Sequence, residues 1–269
     1  MKKIARTILQ YFFILQLFAC ANTKKNDSNT LRVGIAAGPE LQLAEAAVKE
    51  AKEKYNLDVE LFTFNDYVIP NEALNNGDID INVFQHEPYL NEQQKQRGYQ
   101  LAAVGKTFIY PLAAYSKKIN TIDQLQKGSI VAIPNDASNG GRALLLLQKQ
   151  GLIKLKNTVG LLPKPIHIVD NPKQLSILEI EAPQLPVVLN DNKVCMAIIN
   201  NNFAAQAGLN INNSPLFRED KHSPYVNVIV ARTSNQYDVK IKKFVKAYQS
   251  DAVEKVAQHV FKGAAVKGW

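Results

Sequence analysis

Three groups of residues in this chain have types and spacings that could do chemistry, and in each case the chemistry is recognition of a small molecule. The first is Asn135-Asp136-Ala137-Ser138-Asn139-Gly140-Gly141-Arg142, which leaves an apolar run, turns and enters a helical pattern at Gly140. A helix start presents backbone N–H groups that lack intrahelical partners, so two glycines, free amides and an arginine there would make a carboxylate site. Arg142 in a first helical turn faces the positive end of the helix dipole, which costs a cation ~0.3 to 1 kcal/mol. A ligand anion would reverse that penalty, and so would a neighbouring Asp or Glu; the sequence leaves both pairings open. The stretch is not a P-loop, because no lysine followed by serine or threonine closes it.

The second group is Phe64-Asn65-Asp66-Tyr67 and Phe84-Gln85-His86-Glu87-Pro88-Tyr89, each at the end of an apolar run. Tyr67, Phe84 and Tyr89 could wall an apolar pocket, with His86 as its polar edge. Aromatic walls suit a thioether, since sulfur against a ring gains roughly 0.3 to 1.5 kcal/mol, although any one of these rings could instead be ordinary core. The third group is Asn200-Asn201-Asn202 together with Asn227. An amide oxygen accepts from an ammonium group without adding a charge. Asn202 could instead cap a helix starting at Phe203, whereas Asn227, between Val226 and Val228, needs a polar partner in any buried strand.

Signs of catalysis are missing from the pattern. His86, His167, His222 and His259 have no metal-ligand spacing, and no GxSxG or HExxH motif occurs. Asp78 and Asp80 follow Gly77 and read as a turn. Cys195, within Val194-Cys195-Met196-Ala197, reads as a small buried apolar residue. No enzymatic role, metal or cofactor is expected; a hydrolase or transferase on a two-lobed scaffold is the alternative from another class.

The elements that must position these groups alternate. Leu31, Val33 and Ile35 mark a strand, and Pro39 and Glu40 start a helix whose apolar face is Leu41, Ala44, Ala47, Val48, Ala51 and Tyr55. A strand at 59–64, a short helix near 70–74, a strand at 79–84 and a helix at 88–97 stopped by Gly98 follow. An extended run from Leu101 to Tyr115, broken at Pro111, leads to a second series: a strand at 130–133, a helix at 140–150, strands near 175–180 and at 194–199, and a helix from Phe203. Tyr225 to Ala231 is a further strand, and Ile241, Phe244, Val245, Tyr248, Ala252, Val256 and Val260 share one face of a closing helix. Such alternation predicts an α/β fold of two lobes with mostly parallel sheets. Residues 31–111 and 228–269 would form lobe 1 and residues 112–227 lobe 2, with two crossover strands and the binding cleft between them.

The first 30 residues differ from the rest. Lys2, Lys3 and Arg6 precede an apolar run ending in Leu17-Phe18-Ala19-Cys20, which reads as a signal peptide over residues 1–19 with a lipidated cysteine at Cys20. The polar stretch to Thr30 reads as a tether. Without Lys2, Lys3 and Arg6, the formal charge of +8 falls to +5. No basic stripe interleaved with aromatics appears, which argues against nucleic acid.

Over Leu31 to Trp269 the chain resembles the methionine-binding lipoproteins of bacterial ABC importers. The resemblance rests on FNDYVIPNEAL, GDIDINVFQHEPYL, VAIPND with NGGRALLLLQ, EAPQLP, SPYVNVIVAR and the closing KFVKAYQSDAVEKVAQHVFKGAAVKGW. It implies a bilobed periplasmic-binding-protein fold of type II character and an extracytoplasmic receptor, lipid-anchored to the membrane, that delivers methionine or a close analogue to an ABC permease and its ATPase. It further implies that Arg142 binds the ligand carboxylate, that Asn200 and Asn227 hold its polar end, and that Tyr67, Phe84, His86 and Tyr89 enclose its side chain. Asn201-Asn202-Phe203 and Gly140 depart from the residues common in relatives, so another small apolar amino acid or a methionine-containing dipeptide stays open as ligand.

Overall fold

Alternation of apolar side chains buries Leu31, Val33 and Ile35 in the first strand of the computed structural model, which describes residues 29–212, 215–220 and 223–269. Cys20, its signal peptide and His222 therefore lie outside the described residues. The chain runs β1 (Thr30–Ala36), α1 (Pro39–Tyr55), β2 (Asp58–Phe64), α2 (Ile69–Asn76), β3 (Ile81–His86), α3 (Glu87–Arg97) and β4 (Leu101–Ile109). It continues through β5 (Ala113–Tyr115), β6 (Ile130–Pro134), α4 (Ala137–Lys149), β7 (Lys154–Leu155), β8 (Ile168–Asp170), β9 (Ser176–Ile180), α5 (Leu185–Val188), β10 (Val194–Ile199), α6 (Asn201–Gln206) and β11 (Phe217–Arg218). It returns by β12 (Val226–Arg232) and ends with α7 (Val239–Tyr248), α8 (Asp251–Val260) and β13 (Val266–Lys267).

Among the described residues the strands form two large sheets, in the orders β13-β4-β12-β3-β1-β2 and β11-β5-β10-β6-β9, and a small antiparallel pair of β7 and β8. β2, β1 and β3 are parallel neighbours in the first, and β9, β6 and β10 in the second; antiparallel strands extend each on one side. β12 lies between β3 and β4 and is antiparallel to both, so the returning chain completes the first lobe at its centre. Its side chains are buried on both faces. Val228 and Val230 join Leu74, Leu90 and Leu101 beneath α2 and α3, while Ile229 and Ala231 join the core beneath α1 and α7. A near-continuous apolar run is what a strand covered on both sides requires. In the second lobe α4 buries Leu144 and Leu147 against Val131, Ile133 and Met196.

Three helix boundaries depart from expectation. α4 starts at Ala137, because Asp136 caps it by accepting from the Asn139 amide at 2.8 Å; Arg142 therefore sits in the second turn, where the dipole acts weakly. α6 starts at Asn201, so Asn202 lies inside the helix and does not cap it. The closing helix is two helices, since Ser250 is extended and its hydroxyl caps α8 through Val253; Val253 and Ala257 are the fully buried residues there, and Val256 and Val260 pack against the core partly buried. Asp80 is paired to Arg32 at 2.8 Å and is structural. Cys195 is an unpaired, partly exposed thiol packed on the second-lobe core.

The chain crosses between lobes at Tyr110-Pro111-Leu112 and again between β11 and β12. The crossings are tied to each other: the Glu219 amide donates to Leu112 O at 2.9 Å, and the Leu112 amide donates to a Glu219 carboxylate oxygen at 3.0 Å.

Candidate functional site

Strand ends of both lobes meet at a cavity lined by Glu40, Tyr67, Phe84, Gln85, His86, Tyr89, Tyr110, Asn139, Arg142, Asn200, Asn201, Asn202 and Asn227. It holds about 390 Å³ of atom-free space, its mouth included. The first lobe supplies the aromatic wall. Phe84 lies where β3 and β12 slip register, Gln85 pairing with Val228 and Val83 with Ile229, so a bulge turns this part of the strand toward the cleft. The Asn227 amide donates to Phe84 O at 3.2 Å inside that bulge. Tyr67 packs 5.8 Å from Phe84 and 6.1 Å from Tyr89, centroid to centroid, and the Tyr89 hydroxyl donates to Tyr67 O at 2.8 Å. Behind the wall, Asn71, Asn82 and Gln85 satisfy one another through buried amide bonds of 2.6 to 2.9 Å, which locks α2 to β3.

His86 links the wall to the second lobe. Its Nδ1 accepts from the Tyr89 amide at 3.2 Å, so Nε2 carries the proton and donates to Asn139 Oδ1 at 3.1 Å. Burial, reinforced by the nearby Arg142 charge, pushes the imidazole down to about 3, which keeps it neutral at physiological pH. Asn139 Oδ1 also accepts from Asn200 Nδ2 at 2.9 Å. Asn200 Oδ1 is then left buried with no hydrogen-bond partner, as is Asn201 Nδ2. Unsatisfied buried amides are costly and uncommon, and both border the cavity.

Arg142 is buried and already paired. Its Nε and Nη2 donate to the two Glu219 carboxylate oxygens at 2.8 and 2.5 Å, and Nη2 also donates to Tyr110 O at 2.8 Å. The guanidinium carbon lies 4.5 Å over the Tyr225 ring. Nη1 is the one guanidinium nitrogen with no hydrogen bond to a described residue. The expected site of free helix-start amides is not present, because Asp136 occupies the start of α4. Gly140 and Gly141 serve packing instead: a Cβ would come 2.6 Å from Pro134 O and 2.9 Å from Leu161 O respectively.

Three hydrogen bonds close the lobes over the cavity: His86 to Asn139, Tyr67 hydroxyl to Asn202 Oδ1 at 2.5 Å, and Gln206 Nε2 to Ala37 O at 2.7 Å. Tyr67 also packs 4.9 Å from Phe203 of the opposite lobe.

All seven residues singled out in the sequence, Tyr67, Phe84, His86, Tyr89, Arg142, Asn200 and Asn227, line this one cavity. Glu40 and Tyr110 lie outside the groups singled out in the sequence, whereas Gln85, Asn139, Asn201 and Asn202 fall inside them without an assigned ligand contact, Asn202 with a helix cap as its alternative. Asn139 and Asn201 adjoin flagged positions, so proximity in sequence was a usable signal for them. Glu40 carried none, because a glutamate at a helix start is explained by the dipole alone. Glu219 was invisible as the arginine's partner, being 77 residues away. Among the described residues no cluster of histidine, cysteine, aspartate and glutamate could hold a metal, and no helix is long and apolar enough to cross a membrane.

Two α/β lobes, two tied crossings and a polar and aromatic cavity between strand ends define a bilobed protein of the periplasmic-binding type. The chain belongs to the NlpA lipoprotein family, whose model matches residues 31–269. The D-methionine-binding lipoprotein MetQ of Escherichia coli K12 is 58% identical over 255 residues, covering 95% of this chain and 94% of that protein. A crystal structure of the methionine-binding protein MetQ superposes with a TM-score of 0.89 at 60% identity, covering 90% of this chain and 99% of that one. A nutrient-binding protein from Burkholderia cenocepacia, solved bound to methionine, gives a TM-score of 0.86 at 45% identity over 89% of this chain and 100% of its own.

Proposed function

We propose that this protein captures methionine between its lobes and hands it to an ABC permease driven by an ATPase, without chemical change to the ligand. The observation that carries the reading is the convergence of Tyr67, Phe84, Tyr89, neutral His86 and Asn227 from the first lobe on a cavity whose other side holds Arg142 and Asn200. The rings and imidazole would enclose the thioether chain, whose burial is worth ~1.5 to 3 kcal/mol. Arg142 would meet the carboxylate through Nη1, end-on, because its other edge is spent on Glu219. Asn200 Oδ1 supplies an acceptor for the ammonium group, and Asn227 steadies the bulge at Phe84 while facing the ligand's polar end. The crossings near Pro111 and near Asn227 serve as the hinge between lobe 1 and lobe 2. Cys20 carries the lipid that anchors the receptor to its membrane on the extracytoplasmic side. The similarity to methionine-binding relatives supports the same ligand. Mass spectrometry of ligand co-purified with the protein, followed by calorimetry with L-methionine, D-methionine and methionine dipeptides, tests this reading. Methionine recovered and bound at micromolar or tighter affinity supports it; tighter binding of a dipeptide or of another apolar amino acid overturns the choice of ligand, and absence of binding by all overturns the reading.

A further inference from the structure

The Glu40 carboxyl lies at the start of α1, in the wall of the cavity, 6% exposed, with Oε2 lacking any hydrogen-bond partner. Among the described residues lining the cavity it is the one carboxylic acid. The cavity's one arginine has its charge matched by Glu219, and His86 is neutral. A zwitterion entering this space brings an anion that Arg142 Nη1 can meet and a cation that faces no anion unless Glu40 ionises. Buried charges persist only when paired, so the ammonium needs that carboxylate.

We propose that Glu40 is the counter-charge for the ligand's ammonium group, and that it is protonated before binding and releases its proton to solvent as the amino acid enters. The inference rests on the reading of the ligand as an amino acid. No bond other than the Glu40 O–H is broken: the carboxylic acid becomes a carboxylate and the buffer takes the proton. The surroundings fit this exchange. Burial pushes the carboxyl up to about 8, with only its own backbone amide favouring the charge. The titratable groups that feel it are the phenols of Tyr67, beyond β2, Tyr110 at the first crossing and Tyr248 on α7, all raised chiefly by burial. α6 presents the uncharged Asn201 and Asn202, while Asp251 at the start of α8 acts on Lys54 at the far end of α1. An ammonium group arriving beside Glu40 favours the ionised form and reverses the effect of burial.

Calorimetry of the full chain in detergent at pH 7, titrating L-methionine in phosphate and in Tris, reads the proton count from the difference in heats. The expected result is release of close to one proton per methionine, falling above pH 8, and no release by Glu40→Gln, which mimics the protonated acid. That variant should also favour methionine over its des-amino analogue, 4-(methylsulfanyl)butanoate, by about 10- to 100-fold less than the native protein does, the value of a charge-assisted hydrogen bond. Methionine binding by the native protein with no proton exchange overturns the inference while leaving the proposed function standing, whatever the variant's folding. Equal proton release by Glu40→Gln overturns it as well. No methionine binding by the native protein in either buffer sinks both.

Discussion

Replacing Arg142 with methionine separates its two attachments. Arg142 holds Glu219 through two charge-assisted hydrogen bonds, and the two side chains are only 4% and 12% exposed. Removing the guanidinium leaves the Glu219 carboxylate with the Leu112 amide as its remaining described donor, at the crossing between lobes. Breaking a buried pair by deleting one partner costs ~3 to 5 kcal/mol. For a chain of this size each kcal/mol moves Tm by roughly 2 to 4 °C, so the ligand-free variant should melt on the order of 6 to 20 °C lower. The sequence alone suggests the opposite, that relieving a misplaced cation would leave stability unchanged or raised; the position in the second turn and the pairing with Glu219 reverse the sign. The double variant Arg142→Met/Glu219→Met removes both charges and should recover most of the lost Tm, since an apolar pair of similar volume is often neutral or better. Neither variant should show the methionine-induced shift, which at 100 times Kd amounts to about 2.7 kcal/mol in a competent receptor. The assay is thermal unfolding of native, single and double variants with and without methionine. A single variant that melts with the native protein refutes the structural pairing. A double variant that refolds stably and still shifts with methionine refutes the role of Arg142 in ligand binding.

Other expectations follow from the same geometry. Phe84→Ala should weaken methionine binding by more than alanine binding, in line with losses of ~3 to 5 kcal/mol for deleting a buried aromatic ring, and calorimetry with both ligands measures the difference; equal losses would assign Phe84 to the scaffold. His86 is depressed to about 3 from its ordinary 6.5, so its contribution is complete above pH 6.5 and is lost as pH falls toward 3. Relative to His86→Gln, the native protein should therefore lose about 2 kcal/mol of unfolding free energy between pH 7 and pH 5. Comparison at each pH cancels the raised Glu40 carboxyl, which acts with opposite sign, and a constant difference would contradict the neutral imidazole. Cys20→Ser should release the protein from membranes with methionine affinity unchanged, as read by fractionation and calorimetry; a serine variant that still carries lipid refutes the anchor.

The sequence by itself determined the alternation of strands and helices and pointed to part of the cavity wall, because both rest on local signals. Period-2 and helical apolar patterns, Pro39 at a helix start, Gly98 at a helix end and rings at strand ends are readable within a few residues of one another. Helix starts were less legible. Asp136 and Asn139 can cap or face a ligand, and only packing decided that Asp136 caps α4 while Asn139 bridges His86 and Asn200. The continuous helix expected over the last residues failed for a similar reason: a serine hydroxyl that closes back on its own chain breaks a run whose apolar spacing looks unbroken. Tertiary structure alone decided the electrostatics. Arg142 meets Glu219 across 77 residues and Tyr67 meets Asn202 across 135. Glu40 and His86 acquire their shifted protonation from burial that no neighbour in sequence supplies. Charge and desolvation act through space over a few ångströms, so a linear pattern can name the residues that gather at a cleft but not which of them are already paired when the ligand arrives.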